Sequence, residues 1–70
     1  MTRKDMKKLK KGDTLIVILE VVGDNIEWHI GEKYKVLSIE SEKIYVDKDI
    51  PLNYLYYNEV ELHNPKGILL

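Results

Sequence analysis

The sequence predicts an all-β fold, a small and partly open antiparallel barrel of five short strands. Five segments rich in β-branched or alternating apolar residues are separated by clusters of glycine, asparagine, aspartate and serine. No segment alternates helix with strand in the manner of a parallel βαβ unit. At 70 residues the chain forms one domain with a small core, and it has no cysteine to reinforce that core.

The first strand is predicted at 14–20, where "TLIVILEVV" is dense in β-branched residues. The turn residues Gly23, Asp24 and Asn25 follow it, within a connection of about ten residues that leads to the second strand. This connection is the longest between any two predicted strands. Closing the sheet into a barrel would remove most exposed strand edges.

The remaining strands are predicted at 33–40, 43–47, 52–57 and 59–63. Ile39 is out of phase with Tyr34 and Val36, which indicates a β-bulge near Leu37 and Ser38. The alternation of apolar residues then predicts a core of nine side chains: Leu15, Val17, Leu19, Val36, Ile44, Val46, Leu55, Val60 and Leu62.

The stretch "GDNIEWHIGEKYKV" shares a device with "KKGDTLIVI". In each, a glycine and then an acid precede an alternating strand, at Gly12-Asp13 and at Gly31-Glu32. Glycine adopts backbone conformations that other residues resist, and the acid can accept hydrogen bonds from nearby amides. Trp28, in the same stretch, has two interpretations: a core or loop plug, or an exposed anchor for a partner.

Charge divides the chain into a basic arm and an acidic body. Residues 1–11 carry a net charge of +5 and residues 12–70 a net charge of −6. We interpret the arm either as a solvated terminus or as an electrostatic handle for a phosphate backbone or an acidic partner. The candidate handle residues are Arg3, Lys4, Lys7, Lys8, Lys10 and Lys11.

The arm also has the pattern of a short or frayed helix. Thr2 can cap it, and Met6 and Leu9 share one face. We therefore divide the chain into a basic arm or short helix at 1–11, a barrel at 12–64 and a C-terminal tail at 65–70.

The sequence contains no recognisable set of catalytic residues. A nucleophile needs a base and an orienting group, and neither His29 nor His63 aligns with a serine. The pairs Glu27/His29 and Glu61/His63 are two-ligand fragments, fewer than a zinc site requires. We expect no catalytic, cofactor or metal site. No apolar run approaches the about 20 residues of a membrane span, so we expect a cytoplasmic protein.

Tyrosines give the clearest candidate surface. Tyr54 and Tyr56 share one face of the fourth strand, and Tyr45 points away from the side that buries Ile44 and Val46. These tyrosines either stabilise the sheet by cross-strand contact or form a contact surface for a partner. The candidate binding surface comprises Trp28, His29, Tyr45, Tyr54 and Tyr56.

The segments "LKKGDTLIVI", "GDNIEWHIGEKYKVLSIESEKIYV" and "YLYYNEVEL" resemble a known family over roughly residues 9–62. They are similar to small SH3-like barrel proteins encoded by bacteriophages and prophages of Gram-positive bacteria. The resemblance implies an SH3-like barrel fold and an accessory protein of a mobile element. It implies no catalytic residue, because the family's motifs are specific for fold rather than for function.

Together these observations favour a monomeric, non-enzymatic protein-interaction module whose partner is a host or phage protein. The alternative is a nucleic-acid binder similar to KOW or Tudor barrels, which would use the basic arm for charge and exposed aromatics for stacking. The acidic body favours the protein partner, since it repels a phosphate backbone.

Overall fold

The structure, a computed structural model, describes residues 1–63. The tail predicted at 65–70 and residue 64 of the predicted barrel lie outside the described residues. The secondary-structure elements, in chain order, are α1 (Arg3–Met6), β1 (Thr14–Val17), β2 (Val21–Gly23), β3 (Ile26–Trp28), β4 (Lys33–Glu40), β5 (Lys43–Val46), β6 (Tyr54–Tyr56), a 3₁₀ helix (Tyr57–Glu59) and β7 (Val60–Leu62).

The all-β class is confirmed. Five strands form one antiparallel sheet in the order β6-β5-β4-β1-β7, and β2 and β3 form a separate two-stranded sheet. Within residues 1–63 the large sheet is open, with β6 and β7 at its two edges. The 3₁₀ helix joins these edge strands directly.

Each of the five predicted strands has a counterpart, but the long connection after β1 was wrongly predicted to lack strands. The first predicted strand stops at Val17, and the chain then folds into the β2–β3 hairpin. Gly23 pairs with Ile26, so Asp24 and Asn25 alone form the turn. Asn25 has a φ of 62°, a left-handed conformation that asparagine tolerates better than most residues.

The bulge predicted in the second predicted strand, which is β4 of the structure, is confirmed. Val36 pairs with Val46 whereas Ser38 pairs with Tyr45, so Leu37 is an extra residue in β4. An extra residue shifts the phase of the side chains by one position. As a result, Val36 is buried and Ile39 also packs against the core, despite their odd spacing.

The core confirms seven of the nine predicted residues. Leu19 and Leu62 are wrong, with exposed fractions of 47% and 54%. Leu19 lies beyond the end of β1, and Leu62 lies on an edge strand beside a cleft against α1 that Leu9 also lines. The buried residues are Met6, Leu15, Val17, Trp28, Val36, Ile44, Val46, Leu55 and Val60.

The glycine–acid device is confirmed at both positions. Gly12 and Gly31 each have a φ of 95°. Oδ2 of Asp13 accepts from the Lys10 main-chain N–H at 2.8 Å, and Oε1 of Glu32 accepts from the His29 main-chain N–H at 2.9 Å. The two glycines donate to Val36 and Val17 carbonyls, so the device closes both ends of the β1–β4 ladder.

Gly31→Ala should lower the free energy of unfolding by about 1–3 kcal/mol, because a left-handed backbone is strained for alanine. No atom lies within 4 Å of the added Cβ, so the loss would come from backbone strain alone. Gly23→Ala is the matched control: its Cβ also meets open space, and its φ is not in the left-handed region. Urea unfolding should separate the two variants, and equal losses would contradict the strain account.

The basic arm is docked on the body. Thr2 and Asp5 form a reciprocal capping box, in which the Asp5 N–H donates to Oγ1 of Thr2 at 3.1 Å. Met6 is only 2% exposed and belongs to the core, and Leu9 packs against that core. The amino group of Met1 donates to the carbonyls of Tyr57 and Val60. The arm therefore covers the 3₁₀ helix and the start of β7.

Candidate functional site

Three tyrosines lie together on the outer side of β5 and β6. Tyr45 pairs directly with Tyr54 across the two strands, with ring centroids 5.6 Å apart. Tyr54 meets Tyr56 edge to face, with centroids 5.7 Å apart. Nζ of Lys43 lies 4.7 Å from the centre of the Tyr54 ring. We call Tyr45, Tyr54 and Tyr56 the tyrosine face.

The tyrosine face is partly open to solvent. Tyr45 and Tyr54 are half-buried, and Tyr56 is 40% exposed. Partial desolvation, and then the neighbouring Tyr54, raise the pKa of Tyr56 above its ordinary value of 10.0. Tyr56 therefore stays neutral at physiological pH and presents a hydroxyl that can donate or accept a hydrogen bond.

A groove of about 100 Å³ separates the tyrosine face from the β2–β3 hairpin. Val21 and Ile26 form the wall on the hairpin side, and the opposite side is formed by Leu52, Tyr54, Tyr56 and Glu59. A second depression of about 200 Å³, which shares Ile26 with the first, lies between the hairpin turn and Pro51. We call these two neighbouring depressions the hairpin groove.

Trp28 lies beneath this groove and is not an exposed anchor. It is 2% exposed, so the core interpretation is confirmed and the anchor interpretation is wrong. Its ring packs edge to face against Tyr34, with centroids 5.3 Å apart. The indole also lines the hairpin groove, so a ligand there would lie close to the only tryptophan of the chain.

Lys48 joins the hairpin to the loop before β6, a role that the sequence did not indicate. Its Nζ lies 4.6 Å from the centre of the Trp28 ring and 5.4 Å from that of Tyr34. It also donates to the carbonyl of Glu27 and lies 3.8 Å from Oε1 of Glu32. A cation over two aromatic faces is stabilising, particularly when its side chain is mostly buried.

His29 is placed beside the hairpin groove, but its ring is already engaged. Nδ1 lies 2.6 Å from Oε2 of Glu20, and Nε2 lies 2.8 Å from Oε2 of Glu27. Glu27 and His29, two residues apart, thus lie on the same side of the hairpin. The hydrogen bonds from Glu27 and Glu20 raise the pKa of His29 above its ordinary value of 6.5. Both ring nitrogens of His29 are thus engaged within the hairpin, and its place in the candidate binding surface stays a prediction.

The six basic residues of the arm are all exposed. Arg3 forms an ion pair with Glu42 at 2.5 Å, and its guanidinium lies 5.7 Å from the centre of the Tyr57 ring. The five arm lysines, Lys4, Lys7, Lys8, Lys10 and Lys11, form no ion pair with any residue in the described part of the chain. Their charge is consequently available to solvent or to a partner.

Two further features bear on the classes of function considered. Within residues 1–63, no group of three or more histidine, aspartate or glutamate side chains is arranged to hold a metal ion. No helix of that part of the chain is long and apolar enough to cross a membrane.

Comparisons with known proteins do not assign the chain to a family. No family model matches the sequence, and no curated protein or solved structure is similar to it. The function has to be argued from the geometry of the site.

Proposed function

We propose that this chain is a non-enzymatic protein-interaction module with an SH3-like barrel fold, acting as an accessory protein of a phage or prophage. The observation that carries the proposal is the position of the tyrosine face along one side of the hairpin groove. Tyrosine offers an apolar body and a polar tip, and it is enriched in protein interfaces. The strand order β6-β5-β4-β1-β7 and the 3₁₀ helix before β7 support the SH3-like assignment.

The dimensions of the groove favour a macromolecular partner over a small molecule. Pockets for drug-sized ligands have volumes of about 300–1,000 Å³. The two depressions are smaller, at about 100 and 200 Å³. Each suits one or two side chains of a partner, while the tyrosine face extends the contact area beside them.

Charge favours a protein partner over nucleic acid at this surface. Glu27 and Glu59 line the hairpin groove, and the whole body carries an excess of acids. A phosphate backbone would be repelled there, whereas a protein segment with basic and apolar side chains would be attracted.

The nucleic-acid alternative depends on the arm. Its lysines are exposed, and Lys43 lies beside Tyr54, so charge and an aromatic ring occur together on β5 and β6. In that alternative, binding would weaken steeply with salt and would depend on the lysines of α1 and the segment that follows it.

The two functions can be separated by affinity capture from a bacterial lysate with and without nuclease, using matched variants. We expect Tyr54→Ala/Tyr56→Ala to reduce capture of a specific protein by about tenfold or more, since loss of a central tyrosine commonly costs about 2 kcal/mol. Leu62→Ala, at the opposite edge of the sheet, is the control for loss of an exposed apolar side chain. Far-UV circular dichroism should verify that each variant folds.

Two results would oppose the proposal. One is capture that nuclease abolishes and that Lys4→Glu/Lys7→Glu/Lys8→Glu also abolishes, because these changes reverse the charge of three arm residues and leave Met6 and Leu9 unsubstituted. The other is capture of the same proteins, in equal amounts, by the wild type and the tyrosine variant. The first result would favour nucleic acid, and the second would exclude the tyrosine face as the contact surface.

A further inference from the structure

Three side chains close the base of the β2–β3 hairpin. Glu20 precedes β2, Glu27 lies within β3, and His29 follows β3. The imidazole of His29 lies between the two carboxylates, at 2.6 Å from Glu20 and 2.8 Å from Glu27. The second oxygen of Glu20 accepts from the Ile30 main-chain N–H at 3.1 Å. We call Glu20, Glu27 and His29 the hairpin clasp.

The geometry of the clasp requires a particular protonation state. An ionised carboxylate can only accept hydrogen bonds, so both ring nitrogens of His29 must donate. Only the imidazolium has two N–H groups. If one proton were lost, a nitrogen lone pair would face a carboxylate oxygen at hydrogen-bond distance, and that contact would become repulsive.

The surrounding charges agree with this state. Glu32 also lies next to His29, through the hydrogen bond from the His29 main chain, and Lys48 is the cation nearest to Glu32. The hydrogen bond from His29 lowers the pKa of Glu20, and the bond from the His29 backbone lowers that of Glu32. His29 is thus surrounded by three carboxylates and one mostly buried lysine.

The clasp lies next to the residues that form one wall of the hairpin groove. Val21 follows Glu20 directly, Ile26 precedes Glu27, and both line the groove opposite the tyrosine face. Trp28, adjacent to His29, lies beneath them. In the described part of the chain the hairpin forms its own two-stranded sheet without a ladder to the larger one. Its position on the large sheet therefore depends on side chains, namely Trp28, Val21 and Ile26 at the core and Lys48. The clasp holds the start of β2 to the end of β3, and so fixes the shape of the hairpin that carries these residues.

We propose that the hairpin clasp is a pH-responsive control of the hairpin groove, closed when His29 is protonated and released when it loses a proton. The regulatory part of this inference rests on the proposed binding function of the groove. The clasp itself stands on the three side chains and can be tested without any partner.

The direction of the pH response follows from the raised pKa of His29 and the lowered pKa of Glu20. Because the pKa of His29 is raised, its stabilising contribution is complete below 6.5 and is lost as pH rises through the folded-state value. Because the pKa of Glu20 is lowered from 4.5, its contribution is lost only as pH falls through a more acidic value. The clasp is thus closed in mildly acidic solution and opens on the alkaline side.

The first experiment follows the histidine ring signals by NMR from about pH 5 to pH 9, the range in which histidine titrates. We expect Glu20→Gln/Glu27→Gln to move the titration midpoint of His29 to lower pH, because its two charged acceptors are gone. An unchanged midpoint would overturn the clasp. The signal of His63, which is not part of the clasp, tests whether the substitutions act only on His29.

The second experiment measures amide hydrogen exchange across the same titration. The exchange rate of the β2–β3 amides is divided by that of the β4–β5 amides, because intrinsic base catalysis raises both rates with pH and cancels in the ratio. We expect the ratio to rise several-fold as His29 deprotonates, and His29→Gln should abolish that pH dependence. A ratio that is independent of pH in the wild type would contradict control of the hairpin.

Failure of the clasp and failure of the binding function are distinguishable. If the ratio responds to pH and capture by the wild type falls in step, while capture by His29→Gln does not change with pH, both are supported. If the ratio responds but capture is independent of pH, regulation is overturned and the binding function stands. If the tyrosine variants do not alter capture, the binding function fails irrespective of the clasp.

Discussion

Trp28→Ala should remove most of the stability of this protein. Truncating a buried tryptophan costs about 3–5 kcal/mol through lost burial and the cavity left behind. A domain of this length is stabilised by about 4–10 kcal/mol in total, at about 0.05–0.15 kcal/mol per residue. The substitution also removes the edge-to-face contact of Trp28 with Tyr34 and its cation–π contact with Lys48. Urea unfolding followed by far-UV circular dichroism measures the loss, since the variant lacks its tryptophan fluorophore.

Two controls define this result. Trp28→Phe keeps an aromatic ring in the core and should retain part of the stability. Ile30→Ala, two residues beyond the end of β3, truncates a side chain that is 64% exposed and should change the unfolding free energy by less than about 0.5 kcal/mol. Equal losses for Ile30→Ala and Trp28→Ala would show that Trp28 is not part of the core.

Met6→Ala should have the second largest effect, at about 2–5 kcal/mol, because the arm contributes this side chain to the core. For a domain of this size, each 1 kcal/mol lowers the melting temperature by about 4–8 °C. The melting temperature of Met6→Ala should therefore fall by about 8 °C or more. Lys7→Ala is the matched control, because Lys7 is adjacent to Met6 in the chain but its side chain is exposed.

An unchanged melting temperature for Met6→Ala would mean that the arm is a solvated terminus. In that case, deletion of the arm would be a clean test of nucleic-acid binding. In the docked arrangement, such a deletion would remove core packing together with charge, and for this reason we test arm charge by substitution.

Local patterns predicted much of the fold. Alternation located the five strands of the large sheet, and the phase of Ile39 located the bulge. The two glycine–acid pairs were predicted because positive φ and local hydrogen bonding are properties of a few neighbouring residues. Tyr54 and Tyr56 could be placed on one face for the same reason, and pairing of β5 with β6 adds Tyr45.

The features that the sequence did not predict are contacts between distant segments. In the arm, only Leu9 offers Met6 an apolar neighbour on the same side. The burial of Met6 therefore depends on contacts with the rest of the core, which are distant in sequence. The contact of Lys48 with Trp28 joins β3 to a loop twenty residues later in the chain. The hairpin within the long connection had local support, since two turn residues separate Val21–Gly23 from Ile26–Trp28, but both strands are only three residues long.

In the candidate site, too, local patterns predicted some features, while contacts between distant segments were not predicted. Its tyrosines were predicted by strand periodicity, whereas the hairpin groove exists only because the hairpin lies opposite β6. His29 was chosen as a contact residue because it adjoins Trp28. Its engagement by Glu20, nine residues earlier, depends on the fold of the hairpin, which the sequence did not reveal.

The measurement that tests the central claim most directly is hydrogen-exchange mass spectrometry of the protein alone and in complex with a captured partner. If the tyrosine face and the hairpin groove are the contact surface, protection will increase in peptides covering residues 21–28 and 52–59. Peptides covering residues 1–11 will exchange at the same rate in both samples. Protection confined to the arm, with no change at 52–59, would contradict the account.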